Sequence, residues 1–325
     1  MNNLEKVNIN DNDQWILVRG DEEAPLLIHV QAGPGFPMIP EANAMKKLFR
    51  FEEDHLVAYW DQRGCGKSFN KSTDPKTINF SQLPDDLIVC TKYLLTKYKK
   101  KKAILVGYSI GATVGLMAAS KERNLFSRLF LVGIDIDIPS ANKSLVEFTL
   151  AKAKERNNNK WMKEAVELSE TKITETKAFQ RRAKLLTNLG GINIRSNYNQ
   201  LLKASITGML FSKSYRLSDI PRTIQGMEFC QNALLPELDT LNLFDRIKSI
   251  DVPVHFIQGK QDAVAPYQIG LDYYKYLQAR EKTFTAFEHS AHMPHYEEPG
   301  KFTATLRETL KKDMQTTLVM AKENN

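Results

Sequence analysis

The run Ala103-Ile104-Leu105-Val106-Gly107-Tyr108-Ser109-Ile110-Gly111 decides the architecture. Its first four residues are apolar, as a buried strand requires, and it stops at a serine with a glycine two residues away on each side. That is G-x-S-x-G, the pattern of a serine lifted above a sheet edge by a sharp strand-to-helix turn. Side chains two residues before or after the serine would collide across such a turn, which accounts for Gly107 and Gly111. The following residues, Ala112 to Ala119, are small and apolar, as suits a helix packed closely on a sheet. The N-terminus of that helix would aim its free N–H groups at the serine, where they can hold an oxyanion. The spacing predicts a nucleophile elbow on Ser109.

Outward from the elbow, strands and helices alternate. Gln14 to Val18, Pro25 to Val30 and Leu56 to Trp60 read as strands before it, and Ser81 to Tyr98 as a helix. Arg128 to Gly133 is the next strand. The alternation then stops, and residues from about Ile138 to Ile247 read as helical and charged, with a glycine break at Leu189-Gly190-Gly191. It resumes at Val252 to Ile257, followed by a helix from Tyr267, a strand at Thr283 to Phe287 and a last helix from Lys301 to Lys312. The tail from Thr317 to Asn325 is expected to be loosely held. Such alternation implies a mostly parallel sheet with helices on both faces. An insertion after the Arg128 strand would sit over the strand C-termini, where ligands bind, and reads as a lid. The expected division is a core of residues 1–136 and 246–325 and a helical cap of residues 137–245.

Composition narrows the function classes. The chain has 325 residues and 42% hydrophobic content, enough for a large core plus an insertion. Its apolar runs fall short of the ~20 residues of a membrane span, and its polar start lacks the apolar centre of a secretion leader. Cys65, Cys90 and Cys230 are sparse and far apart, without the spacing of a disulfide framework or a metal site. A cytoplasmic protein without cofactor or metal is expected. The net charge of +7 invites a nucleic-acid reading. Its densest run, Lys97 to Lys102, is better explained as a solvated helix C-terminus, so no nucleic-acid partner is expected.

A serine hydroxyl needs a base to take its proton. In elbow architectures the partners follow in the order serine, acid, histidine. Asp262 stands just past the strand ending at Ile257, where a triad acid belongs. The base lies in Glu288-His289-Ser290-Ala291-His292-Met293-Pro294-His295, whose three histidines spacing alone does not separate. Gln31-Ala32-Gly33-Pro34-Gly35 is a tight glycine loop after an early strand. A backbone N–H from it, with that of Ile110, would form an oxyanion hole. Gly66-Lys67-Ser68 imitates the end of a phosphate loop, but Asp61 stands where that pattern needs glycine. Asp61 and Arg63 are better read as braces for loops near the site.

Together these segments resemble the proline iminopeptidase-like group of the α/β-hydrolases. That group carries, in order, H-G-G-P-G, D-Q-R-G-x-G-x-S, G-x-S-x-G, G-x-x-D and S-G-H-x-P…E-E-P. Their counterparts are Gln31 to Gly35, Asp61 to Ser68, Gly107 to Gly111, Gly259 to Asp262, and Ser290 to Pro294 with Glu297-Glu298-Pro299. The resemblance implies the α/β-hydrolase fold, selects His292 as the base and places the oxyanion donors on Gly33 and Ile110. In its aminopeptidase members carboxylates grip the substrate's free amine. One precedes a phenylalanine in a cap helix, as Glu228 precedes Phe229; the other directly follows the catalytic aspartate, where this chain has Ala263. Glu228 and Tyr108 are the candidate substrate contacts. The expected activity is acyl transfer to water from a small ester, amide or short peptide. The alternative is a catalytically silent binding protein using the cap pocket.

Overall fold

A computed structural model of the chain describes residues 1–171 and 174–323. Among the described residues ten strands form: β1 (Asn2–Ile9), β2 (Asn12–Gly20), β3 (Leu26–Val30), β4 (Leu56–Asp61), β5 (Ala103–Tyr108), β6 (Phe126–Val132), β7 (Ser249–Ile250), β8 (Val254–Gly259), β9 (Gln278–Ala279) and β10 (Lys282–Phe287). Eight of them make one sheet in the order β1-β2-β4-β3-β5-β6-β8-β10, and β7 pairs with β9 apart from it. From β4 to β10 every neighbouring pair is parallel. β1 and β2 add an antiparallel edge. The fold is therefore that of the α/β-hydrolases, as expected.

The central strands β3, β4 and β5 are buried at every residue, because helices cover both faces. Alternate side chains feed two cores. Ile28, Val30 and Leu105 pack with α2 (Gln82–Lys97) and α3 (Ile110–Lys121). Leu27, Val106 and Phe130 pack on the opposite face with α1 (Ala42–Phe49) and the start of the last helix, through Phe49, Phe302 and Leu306. β1 was not foreseen from the pattern. It is an edge strand in which Ile9 alone is buried, so it lacks the apolar alternation that marks a strand.

Between β6 and β8 the chain makes five long helices, α4 (Ile138–Glu155), α5 (Asn159–Glu170), α6 (Thr176–Leu189), α7 (Tyr198–Phe211) and α8 (Asp219–Leu238), then the short α9 (Leu243–Arg246). Local signals set their ends. The Asp137 side chain accepts from Ser140 N at the start of α4, Asn197 and Gln200 form a capping box on α7, and α6 stops at Gly190 with φ +86°. After β8 come α10 (Tyr267–Tyr276), α11 (Pro294–Glu297) and α12 (Pro299–Glu323). The last helix runs beyond the expected Lys312 into the tail that was expected to be loose; Asn324 and Asn325 lie outside the described residues.

Candidate active site

β5 ends at Tyr108 and α3 begins at Ile110, leaving Ser109 alone to turn the chain. Its backbone sits at φ +53°, ψ −125°, a conformation that costs a non-glycine residue free energy and persists only where its surroundings impose it. The surroundings are visible. Ser109 N donates to Val132 O at 2.8 Å, pinning the turn to β6. A Cβ on Gly107 would lie 2.5 Å from Ala112 Cα, and one on Gly111 would lie 2.2 Å from Gln31 O. Both glycines are therefore required, the first by α3 and the second by the loop after β3. Ile110 is the first residue of α3, so its N–H has no acceptor within the helix. Gly33 lies beside it, since a Cβ there would come 3.7 Å from Ile110 Cβ. The two expected oxyanion donors are neighbours at the elbow.

Asp262 follows β8 and accepts four hydrogen bonds. Val264 N and Ala265 N reach Oδ1 at 2.9 and 2.8 Å. Gln258 Nε2 and His292 Nδ1 reach Oδ2 at 2.9 and 2.8 Å. His292 is held from both sides, because the buried Glu297 accepts from Ala291 N and Met293 N, and His292 N itself donates to Ile192 O at 3.0 Å. Burial opposes a charged ring, but Asp262, with Asp135 and Glu297, outweighs it and holds the His292 pKa above the ordinary imidazole value.

The serine hydroxyl has a partner the sequence reading did not name. Ser109 Oγ donates to Asp135 Oδ2 at 2.9 Å. Asp135 lies three residues past the end of β6 and is only 4% exposed. Thr113 Oγ1 donates to its carbonyl at 2.7 Å and ties this turn to α3. Desolvation pushes the Asp135 carboxyl up to about 6, against the lowering influence of His292 and the Ser109 hydrogen bond. The sequence did carry a signal. Gly133-Ile134-Asp135 follows a parallel strand at its carboxyl end, where site residues collect, and Gly133, at φ +56°, lets the chain pass close to the His292 ring, whose Nδ1 would lie 3.1 Å from a Cβ there.

Comparison with known proteins agrees with the fold. The α/β-hydrolase fold family matches residues 26–299. The chain belongs to the α/β-hydrolase fold family. It is 29% identical over 306 residues to the probable aminopeptidase YbaC of Bacillus subtilis strain 168, covering 93% of this chain and 94% of that one. Several solved structures are similar to this chain in fold. A proline iminopeptidase-related protein from Thermus thermophilus has a TM-score of 0.68 at 18% identity, covering 96% of this chain and 98% of that one. A proline iminopeptidase of Mycobacterium smegmatis has a TM-score of 0.67 at 17% identity, covering 97% and 100%. An esterase from Exiguobacterium antarcticum is also similar, with a TM-score of 0.62 at 17% identity, covering 94% and 98%.

The remaining expected residues of this α/β hydrolase stand in different surroundings. Tyr108 is buried, and its hydroxyl meets His29 Nδ1 at 3.0 Å in an aromatic cluster with His295. That places it in the packing beneath the elbow. Glu228 is exposed on α8, while its neighbours Met227 and Cys230 are the residues that crowd Gly35. Position 263 packs against the loop after α6. Ala263 is buried, its N donates to Gly191 O at 3.0 Å, and its Cβ would come within 2.7 Å of a Cβ on Gly191.

The three late histidines do not converge: His289 is exposed, His292 is on Asp262, and His295 lies among Phe49, Tyr108 and Tyr296. Among the described residues no group of three His, Cys, Asp or Glu side chains is placed to hold a metal, and no helix is long and apolar enough to cross a membrane. Asp61 and Arg63 brace the site as expected. Asp61 accepts from Met38 N, Ile39 N, Lys67 N and Tyr215 Oη, between 2.5 and 3.0 Å. It thus joins the loop after β3 to the helical segment. Arg63 forks onto Asp86 at 2.7 and 2.9 Å.

Proposed function

We propose that this α/β hydrolase cleaves a small ester, amide or short peptide through an acyl-enzyme on Ser109. His292 takes the hydroxyl proton and returns it to the leaving group, Asp262 orients the ring, and the N–H groups of Gly33 and Ile110 hold the oxyanion. The helical segment 137–245 acts as the cap that shapes the pocket. The observation that carries the reading is the His292 Nδ1 to Asp262 hydrogen bond of 2.8 Å beside a serine held at φ +53°. The reading requires the hydroxyl to leave Asp135 for the imidazole, and catalytic hydrogen bonds often tighten only when substrate is bound. Among substrates, the probable aminopeptidase that covers nearly the whole chain favours an aminoacyl group. Three free, buried cysteines suit the reducing cytoplasm we assign to it.

A fluorophosphonate probe tests the nucleophile. Wild type is expected to be labelled and Ser109→Ala not, and equal labelling of both would place the nucleophile elsewhere. A panel of proline-arylamides, alanine-arylamides and short aryl esters then defines the acyl group. One observation favours the silent-binder alternative, namely that the hydroxyl rests on Asp135. Ligand binding without labelling or turnover across the panel would support that alternative.

A further inference from the structure

Near Ser109 the structure places several carboxylates, and they differ in what occupies them. Asp262 is filled by four donors. Glu297 is occupied by three backbone N–H groups, from Ile194, Ala291 and Met293. Asp135 is as deeply buried as these, yet among the described residues the only donor to its carboxylate is the neutral Ser109 hydroxyl. The His292 ring and Arg182 of α6 act on it electrostatically but donate no hydrogen bond to its carboxylate, and Arg182 Nη1 is given to Asn142 Oδ1 at 2.8 Å. A carboxylate offers about four lone-pair positions, and a buried one left with a single neutral donor is short of positive charge.

We infer that Asp135 is the anchor for a positively charged α-amine on the acyl side of the substrate. The inference rests on the hydrolase reading above and deepens it. Covalent geometry carries it. In an aminoacyl group the α-nitrogen lies two bonds, about 2.5 Å, from the scissile carbonyl carbon. That carbon comes to about 3 Å from the attacking oxygen in a near-attack complex. A carboxylate oxygen 2.9 Å from Ser109 Oγ meets the nitrogen at hydrogen-bond distance when the acyl group is turned with its amine toward Asp135. An ammonium brings three N–H donors and a full charge to the unused lone pairs. It also competes with the serine for the carboxylate, freeing the hydroxyl to turn toward His292. Of the two positions where the resemblance would put an amine anchor, 263 holds a buried alanine packed against Gly191, and Glu228 is exposed on α8. The raised Asp135 carboxyl fits an anion that awaits a cation.

The test compares wild type with Asp135→Asn, which keeps the shape and an acceptor for Ser109 but loses the charge. Titration calorimetry with L-alaninamide and L-prolinamide reads the anchor without turnover. At least one amide is expected to bind wild type and to bind Asp135→Asn about 10- to 100-fold more weakly, the effect of losing a charge-assisted hydrogen bond. N-acetyl-L-alaninamide, which has no charge, should bind both proteins alike. In turnover, the ratio of kcat/KM for the aminoacyl arylamide to that for an aryl ester should fall by a similar factor. Equal binding of the charged amides to both proteins, binding to neither, or proportionate loss of both activities would overturn the inference, and the last would leave Asp135 as a positioning residue for Ser109. Fluorophosphonate labelling of wild type reports separately on the hydrolase reading. A labelled enzyme that ignores free amines would keep that reading and remove this one, and an unlabelled protein that still binds the amides through Asp135 would do the reverse.

Discussion

Of the three carboxylates acting on the imidazole of His292, Asp262 and Asp135 stand in unlike settings. Asp262 accepts four hydrogen bonds. Asp135 is driven by burial up to about 6. A carboxyl raised above its unfolded value binds its proton more tightly in the folded state. Stability therefore falls as pH rises from about 4 to about 6, and the deficit persists at higher pH. At ~1.4 kcal/mol per pKa unit that is about 2–3 kcal/mol at neutral pH. The groups facing Asp135 are Ser109, His292, Asp262 and Arg182, and all of them are retained in Asp135→Asn. That variant is expected to be more stable than wild type by about 2 kcal/mol at pH 8 and equal to it at pH 4, read from urea unfolding. His292 must be neutral to act as base. Its raised pKa predicts that kcat/KM on an aryl ester declines as pH falls through a value above 6.5, with the acid limb moving down in Asp135→Asn because one of the negative charges raising it is gone. A pH–rate profile of both proteins checks this. At this scale Ser109, Asp262 and His292 were legible because each sits in a recognisable motif. Asp135 had only its place past the carboxyl end of a strand, a signal many residues share, until β6 and the elbow were brought side by side.

The elbow is the element on which the site is built, and its glycines are unequal to others in the chain. Gly111→Ala would place a methyl 2.2 Å from Gln31 O and 2.4 Å from Val30 O, both backbone atoms that cannot yield without moving β3. A loss of about 3 kcal/mol is expected, together with loss of fluorophosphonate labelling, since α3 and the oxyanion donors move with it. Gly190→Ala meets nothing closer than 3.9 Å. It carries only the left-handed backbone cost of about 1–2 kcal/mol and should keep its labelling. Thermal unfolding of the pair separates steric from conformational requirement. The central strands were readable as elements because their apolar runs are continuous, whereas β1 depends on β2 for its existence and has no periodicity of its own.

Across the whole molecule, buried polar ties join segments far apart in sequence. Asp86 of α2 gathers Arg63, Gln14, Asn10 and Gln82. Arg63 also reaches Ile9 O and Asn10 O at the turn between β1 and β2. Arg63→Ala would leave a fully buried carboxylate without its cation, at a cost of about 3–5 kcal/mol. The urea midpoint is expected to fall accordingly; an unchanged midpoint would show that the remaining amide donors suffice for Asp86. The helical segment is tied down in the same manner. Lys67 pairs with the buried Asp219 at 2.8 Å, Tyr215 with Asp61 at 2.5 Å, and the loop of Gly191 and Ile192 with Ala263 N and His292 N. These ties align the helical segment with the site.

The alternation of apolar runs, the elbow glycines and an aspartate past a late strand pointed by themselves to an α/β-hydrolase fold and to Ser109 and Asp262, while the resemblance to the family's motifs chose His292 among three histidines. Such features are local, since strand burial and a tight turn constrain residues within a few positions of one another. Two matters were decided only by tertiary structure. The side chain at 263 is small because a loop more than seventy residues earlier packs against it. The hydroxyl of Ser109 rests on Asp135 because parallel pairing of β5 with β6 sets their carboxyl ends together. Both depend on distances between segments remote in the chain, and packing, which creates those distances, leaves no periodic trace in the order of residues.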